Sequence, residues 1–378
     1  MDTQEHGCTA DTDHDREFPE VDLLSPLKIR SVSFSNRIAM SPMCQYSSHE
    51  GLASDWHLVH LGSRAVGGVS LIMVEATAVL REGRITPGDM GIWGDEHIEP
   101  LARIASFIKS QGAIAGIQLA HSGRKGSTDA PWKGGAVLRE AAEGGWSVVA
   151  PSPLPFAESD PVPEELDDKG IEKVRLGFKE AVKRAVKAGF EVIEMHAAHG
   201  YLLHEFLSPL CNRRKDQWGG SLENRIRLPL KVAETMRDEM PEGMPLFARI
   251  SATDWVEGGF DIEQAVFLSR HLKKAGVDLI DVSSGGMVPK ARIPVGKGYQ
   301  VPFARQIREE AKIFTAAVGL ITEASHANEI ITGGDADLVF LGRELLRDPY
   351  WAIKAQHELG KEPTWPIQYG YAVKRRAK

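Results

Sequence analysis

Two histidines and a tyrosine crowd one short run of the chain, Phe190-Glu191-Val192-Ile193-Glu194-Met195-His196-Ala197-Ala198-His199-Gly200-Tyr201. The run opens as a strand. Val192, Ile193 and Met195 are apolar and favour extended backbone, and Lys187-Ala188-Gly189 before them reads as a helix end. Side chains alternate along a strand, so His196 and His199 would face opposite ways if the chain stayed extended. They converge only if the backbone curls directly after His196, and Ala197, Ala198 and Gly200 are small enough to permit it. Two imidazole donors would then sit side by side at a strand's C-terminal end, with a phenol just beyond. Such a group can stabilise an oxygen that gains negative charge and can supply a proton. The same spacing also suits a metal site, with His204 as a third ligand.

Elements of a definite kind must hold this group. From Leu23 onward, short apolar strands alternate with amphipathic helical stretches in eight units. The strands are expected at Arg37–Ser41, Ser70–Glu75, Ile114–Leu119, Phe190–His196, Leu246–Ile250, Leu279–Ser283, Ile313–Val318 and Leu338–Gly342. The helices are expected near 57–66, 98–110, 169–188, 222–239, 262–275, 302–311, 324–332 and 349–359. Eight such repeats point to an α/β fold, a (β/α)8 TIM barrel in one domain. An open doubly wound sheet would carry a Gly-x-Gly-x-x-Gly turn after an early strand, and none is present. A long loop follows the third strand, from His121 to about Asp168, rich in proline and holding Trp132 and Trp146. A loop of that length at this end of a barrel reads as a binding loop.

Function in such a barrel collects at the C-terminal ends of the strands. Those ends carry Ser41-Pro42-Met43-Cys44-Gln45-Tyr46, then Ala76-Thr77, Gln118 with His121, the His196–Tyr201 group, Arg249, Ser283-Ser284-Gly285-Gly286, Gly319, and Gly342-Arg343. Glycines with an arginine after strands seven and eight suit a phosphate. Gln118 and Arg249 would face the mouth and could hold a polar planar ring, though Arg249 could instead pair with Glu194. Together these ends describe a phosphate-bearing ring cofactor.

Composition narrows the classes. The 378 residues carry a net charge of −7, so no nucleic-acid footprint is expected. No apolar run reaches the ~20 residues needed to cross a bilayer, and the start lacks a secretory signal. Three cysteines, Cys8, Cys44 and Cys211, suggest a reducing, cytoplasmic setting and are too few for a four-cysteine iron–sulfur site. Residues 1–22 hold eight acids and one arginine and read as a disordered acidic extension. The barrel would span 23–370, and 371–378 would form a basic tail.

The chain resembles the old yellow enzyme family of FMN-dependent ene-reductases, in its thermophilic-like branch. The resemblance rests on Asn36–Tyr46 (NRIAMSPMCQY), Gly83–Thr86 (GRIT), Gly116–Lys125 (GIQLAHSGRK), His196–Tyr201 (HAAHGY) and Gly342–Pro349 (GRELLRDP), in that order. It implies FMN as bound cofactor and NADPH as hydride donor, with enones, quinones or similar electrophilic alkenes as substrates. It implies that Ser41, Pro42, Met43, Cys44, Ala76, Gln118, Arg249 and Ser283 hold the flavin, and that Gly319, Gly342 and Arg343 hold its phosphate. Cys44 would tune the flavin's potential and Tyr46 would line the substrate site. His196 and His199 would bind the substrate's carbonyl oxygen and Tyr201 would donate the proton. A homo-oligomer, dimer or tetramer, is implied as well. Some relatives place an arginine near the C-terminus that enters a neighbouring active site. Tyr371 stands there in this chain. Two rival readings remain: a metal-dependent barrel lyase or hydrolase using His196 and His199, and a flavin-binding protein without activity.

Overall fold

The computed structural model describes residues 21–139 and 141–373. Eight parallel strands close into a barrel: β1 Ile38–Met40, β2 Leu71–Ala78, β3 Ile114–Ala120, β4 Val192–Ala197, β5 Leu246–Ser251, β6 Leu279–Ser283, β7 Phe314–Val318 and β8 Leu338–Leu341. Each pairs with the next, and β8 pairs with β1. All eight expected strands are present, with ends shifted by no more than a few residues. Residues 1–20 of the expected N-terminal extension and the basic end of the tail, 374–378, lie outside the described residues.

The period-two alternation that hid His196 from His199 also layers the barrel. On β4, Ile193, Met195 and Ala197 pack outward against the helices, while Val192 joins the inner cluster. The inner cluster is apolar at the bottom: Leu71, Met73, Ile114, Val192, Phe247, Leu279, Leu338 and Phe340. Two residues further along β4, β5 and β6 the chemistry changes, to Glu194, Arg249 and Asp281, and two further still it reaches His196, Ser251 and Ser283, while on β3 Gln118 stands four residues beyond Ile114. The apolar floor therefore carries a polar storey above it.

A hairpin that precedes the barrel seals the floor. Leu27–Ile29 pairs with Val32–Phe34, and Phe34 stacks on Phe247 with centroids 6.3 Å apart. Both rings are fully buried, and truncating either to Ala would cost about 3–5 kcal/mol.

Helices occupy the expected stretches with one interruption. The stretch expected near 222–239 breaks at Ile226 into Leu222–Arg225 and Arg227–Glu239. Pro229 has no N–H to continue the upstream helix, so it falls in the first turn of a new one. A short helix, Arg343–Arg347, sits directly after β8.

Candidate active site

The curl after His196 is real and has a specific backbone form. His199 has φ +59° and Gly200 φ +74°, both left-handed. Gly200 is required there. A Cβ on it would lie 2.1 Å from the carbonyl oxygen of Gly286 in the loop after β6. The turn brings the His196 and His199 rings to 5.2 Å, nearly perpendicular, and sets the Tyr201 ring against His196 at 5.1 Å. His199 Nδ1 lies 3.4 Å from His196 Nε2, and His199 Nε2 lies 2.7 Å from Ser283 Oγ. The His199 N–H donates to Ser251 Oγ at 2.9 Å, which fixes the turn to β5.

Electrostatics divide the roles of these groups. Burial pushes both imidazoles well below their usual pKa, and the Arg249 guanidinium adds to it. They are therefore neutral near pH 7 and act as hydrogen-bond donors through one N–H each. Burial, with Cys44 and Tyr46 nearby, pushes the Tyr201 phenol well above its usual value. It keeps its proton across the working range.

Below this trio lies a layer of paired charges. Gln118 Nε2 donates to Glu194 Oε1 at 2.8 Å. Arg249 sits opposite Asp281 in the β5–β6 register, with Nε 3.1 Å from Asp281 Oδ2. This contact is an ion pair without good hydrogen-bond angles, because neither atom finds a hydrogen-bond partner. Arg249 thus pairs with Asp281 rather than with Glu194. Burial, then the charge of Asp281, raises Glu194, while Arg249 opposes the shift.

These observations bear on whether a flavin fits. Arg249 is buried, and its Nε finds no hydrogen-bond acceptor among the described residues. Ser41 Oγ is buried without a partner. Ala76 lies opposite Gln118 across the β2–β3 ladder, after a bulge at Glu75. That bulge lets Glu75 Oε1 accept from the Gln45 N–H at 3.1 Å, which holds the Met43–Gln45 segment to β2. Gly342 has only Met43 Sδ near its missing Cβ, at 3.7 Å, and Gly319 has φ +118°. A rim with unpartnered polar atoms on Ser41 and Arg249 and two glycines after β7 and β8 suits a polar ring with a phosphate tail. Each expected site residue lies on or just after its strand at one end of the barrel: Ser41, Pro42, Met43, Cys44 and Tyr46 after β1, Ala76 on β2, Gln118 on β3, and Arg249 on β5. Ser283 ends β6, Gly319 follows β7, and Gly342 with Arg343 follows β8.

A family model described as the NADH:flavin oxidoreductase / NADH oxidase family matches residues 22–362. The chain belongs to this family, the old yellow enzymes. It is an FMN-dependent oxidoreductase that draws its electrons from a reduced nicotinamide. It is 50% identical over 349 residues to an NADPH dehydrogenase of Geobacillus thermodenitrificans, covering 92% of this chain and 97% of the relative. It is 47% identical over 349 residues to an NADPH dehydrogenase of Bacillus subtilis, covering 92% and 98%. Among solved structures, morphinone reductase superposes with a TM-score of 0.75 at 26% identity, over 93% of this chain and 92% of that one.

The metal reading fails on His204. Helix Leu202–Leu207 turns it away, so that Nδ1 accepts from the Gly200 N–H at 2.9 Å and Nε2 faces Asp254 at 3.0 Å. Among the described residues no group of three or more His, Cys, Asp or Glu side chains could hold a metal ion. No helix among them is long and apolar enough to cross a membrane. Tyr371, which stands where some relatives carry that C-terminal arginine, is 89% exposed on the terminal turn.

The long loop after β3 roofs a cavity of about 680 Å³ beside this trio, walled by Tyr46, Tyr201, Lys125, Trp146 and Phe156 among others. Trp132 of the loop meets Tyr46 edge-on at 5.7 Å. Arg124 pins the roof, donating to the carbonyls of Leu154 and Pro155 at 3.1 Å and of Met287 at 2.8 Å. Sequence reasoning missed Ser251 and Asp281, which support His199 and Arg249, because each acts through a partner far away in the chain.

Proposed function

We propose that this enzyme is an ene-reductase, using NADPH to reduce the carbon–carbon double bond of α,β-unsaturated carbonyl compounds such as small enones, and accepting quinones as well. The observation that carries this reading is the trio at the end of β4: two neutral imidazoles 3.4 Å apart, with a protonated phenol packed against one of them. When bound, FMN supplies hydride transfer, from the nicotinamide and then to the alkene's β-carbon. Gln118, Arg249, Ala76, Ser283 and the Ser41–Cys44 backbone would hold its ring and chain, and Gly319, Gly342 and Arg343 its phosphate.

The chain's own residues account for the rest. As the β-carbon is reduced, charge moves to the substrate's carbonyl oxygen. His196 and His199 donate hydrogen bonds to it, and losing one such donor costs on the order of a hundredfold in rate. Tyr201 then gives its proton to the α-carbon. Tyr46 and the roofing loop shape the space for the substrate and exclude bulk water.

The test is anaerobic NADPH oxidation by cyclohexenone, with the product identified by NMR. Saturated ketone formed in step with NADPH consumed supports the reading. A flavin that NADPH reduces but that no enone or quinone reoxidises would sink it.

A further inference from the structure

Lys125 has no part in the chemistry set out above, yet it touches both loops that carry that chemistry. Its Nζ donates to the His199 carbonyl oxygen at 2.8 Å and to the Gly286 carbonyl oxygen at 3.1 Å. The same nitrogen lies 5.1 Å from the centre of the Tyr201 ring and 4.7 Å from that of Phe156. The two loops meet backbone to backbone there. A Cβ on Gly286 would come within 2.6 Å of His199, and Gly286 has φ +92°. Two carbonyl dipoles converge on one point, and the ammonium is what they converge on.

We propose that Lys125 is a positioning residue for the proton-transfer step: it ties the His199 turn to the β6 loop and holds a positive charge over Tyr201 as the phenol gives up its proton. The proposal rests on Tyr201 being the donor. In that step the α-carbon gains a C–H bond and the O–H electron pair stays on the phenol oxygen. The phenolate then takes a proton back from water in the cavity. A cation over the ring favours the phenolate more than the neutral phenol, so the charge acts mainly on the transition state. Lys125 keeps its three protons throughout.

Several charged or titratable groups face this ammonium. Arg124 shares its turn, Glu205 faces it from helix Leu202–Leu207, and His196, His199 and Tyr201 face it from the β4 turn. Asp129, Arg139 and Asp160 stand in the cavity wall. Burial brings the ammonium down to about 8, with Glu205 pulling it up and Arg124 pushing it down. Glu205 is itself pushed up to about 8 by burial, and once ionised it helps Lys125 keep its proton. The histidines are neutral and the Tyr201 phenol is still protonated at that pH. The charge is therefore present below about pH 8 and is lost as pH rises through it.

The test follows flavin reoxidation by an enone in the FMN-loaded enzyme, by stopped flow from pH 6 to pH 10. Lys125→Met, Lys125→Arg and Tyr201→Phe are run beside the wild type. The wild-type rate should fall along an alkaline limb near pH 8. Lys125→Met should be slower at pH 7, on the order of tenfold to a hundredfold, and should lack the limb. Lys125→Arg, charged throughout, should stay within a few-fold of wild type and run flat. A limb that survives in Lys125→Met, or a Lys125→Met rate equal to wild type at pH 7, overturns the proposal. Equal slowing of flavin reduction by NADPH also overturns it, since the loss would then be general. If Tyr201→Phe leaves reoxidation fast, the donor assignment itself has failed. If Tyr201→Phe slows reoxidation while Lys125→Met keeps the limb, only the role of Lys125 has failed.

Discussion

Ser283 Oγ stands 2.7 Å from His199 Nε2, and this bond decides which nitrogen of His199 can donate to a substrate. His196 Nδ1 accepts from the Ala198 N–H at 3.2 Å, so His196 carries its proton on Nε2. For both rings to donate to one oxygen, His199 must carry its proton on Nδ1, and the Ser283 hydroxyl must then donate to Nε2. Ser283→Ala removes that selection. Phenol affinity, titrated by flavin absorbance, should fall roughly tenfold while FMN stays bound. Unchanged affinity would mean that the tautomer is set elsewhere.

Removing the imidazoles should go further. A double His196→Ala, His199→Ala variant should keep FMN, because Gln118, Arg249 and the β1 end lie on other strands. Its affinity for phenols should drop by ~10²-fold, as two buried hydrogen-bond donors are lost. Wild-type phenol affinity in this variant would refute the oxyanion assignment.

The fold was legible because its signals are local. Each barrel strand is a short apolar run, and each strand end carries its site residue within one or two positions. The trio was legible for the same reason: HAAHGY is contiguous, and only a tight turn can converge its rings. What was hidden is set by neighbours far along the chain. Arg249 has two buried acids within the barrel, Glu194 and Asp281, and only the register places Asp281 directly opposite it. His204 reads as a third ligand by spacing alone, until a helix of six residues rotates it to Asp254. The hairpin Leu27–Phe34 carried a faint alternation, and its turn holds Arg30 at φ +51°, which no glycine advertised.

Gly200 tests the turn itself. A Cβ there would meet the backbone of Gly286, which cannot rotate away as a side chain could. Gly200→Ala combines that overlap with a left-handed φ, and should cost about 2–4 kcal/mol. Urea unfolding of the FMN-loaded variant gives the value. A loss under ~0.5 kcal/mol would mean that the two loops are free to separate.

Cys44 tests the reading of the β1 end. Burial, then Asp89 and Glu75, pushes its thiol well above its usual pKa, so it is uncharged at neutral pH. A neutral thiol acts on a flavin through its polarisable sulfur and weak S–H rather than as an anion. Cys44→Ala should therefore shift the flavin midpoint potential by tens of millivolts and change the two half-reactions unequally, with no dependence on pH between 6 and 9. A potential equal to wild type would make Cys44 a packing residue.

Tyr201 separates the two half-reactions. Hydride transfer from NADPH to the flavin needs no proton from a phenol, whereas protonation of the alkene's α-carbon does. Tyr201→Phe keeps the ring that packs on His196 at 5.1 Å and removes only the hydroxyl, so stability should change by less than about 1.5 kcal/mol. Anaerobic flavin reduction by NADPH should stay near normal. Reoxidation by an enone should slow by the ~10²–10⁴ that a positioned general acid contributes. Quinones, whose reduction protonates oxygen rather than carbon, should be spared. Stopped-flow measurement of both steps decides the matter. Equal slowing of both would make Tyr201 a residue that orders the site. Slowing of neither would pass the donor's role to water or to Tyr46, which faces the same cavity and whose phenol is also held protonated by burial.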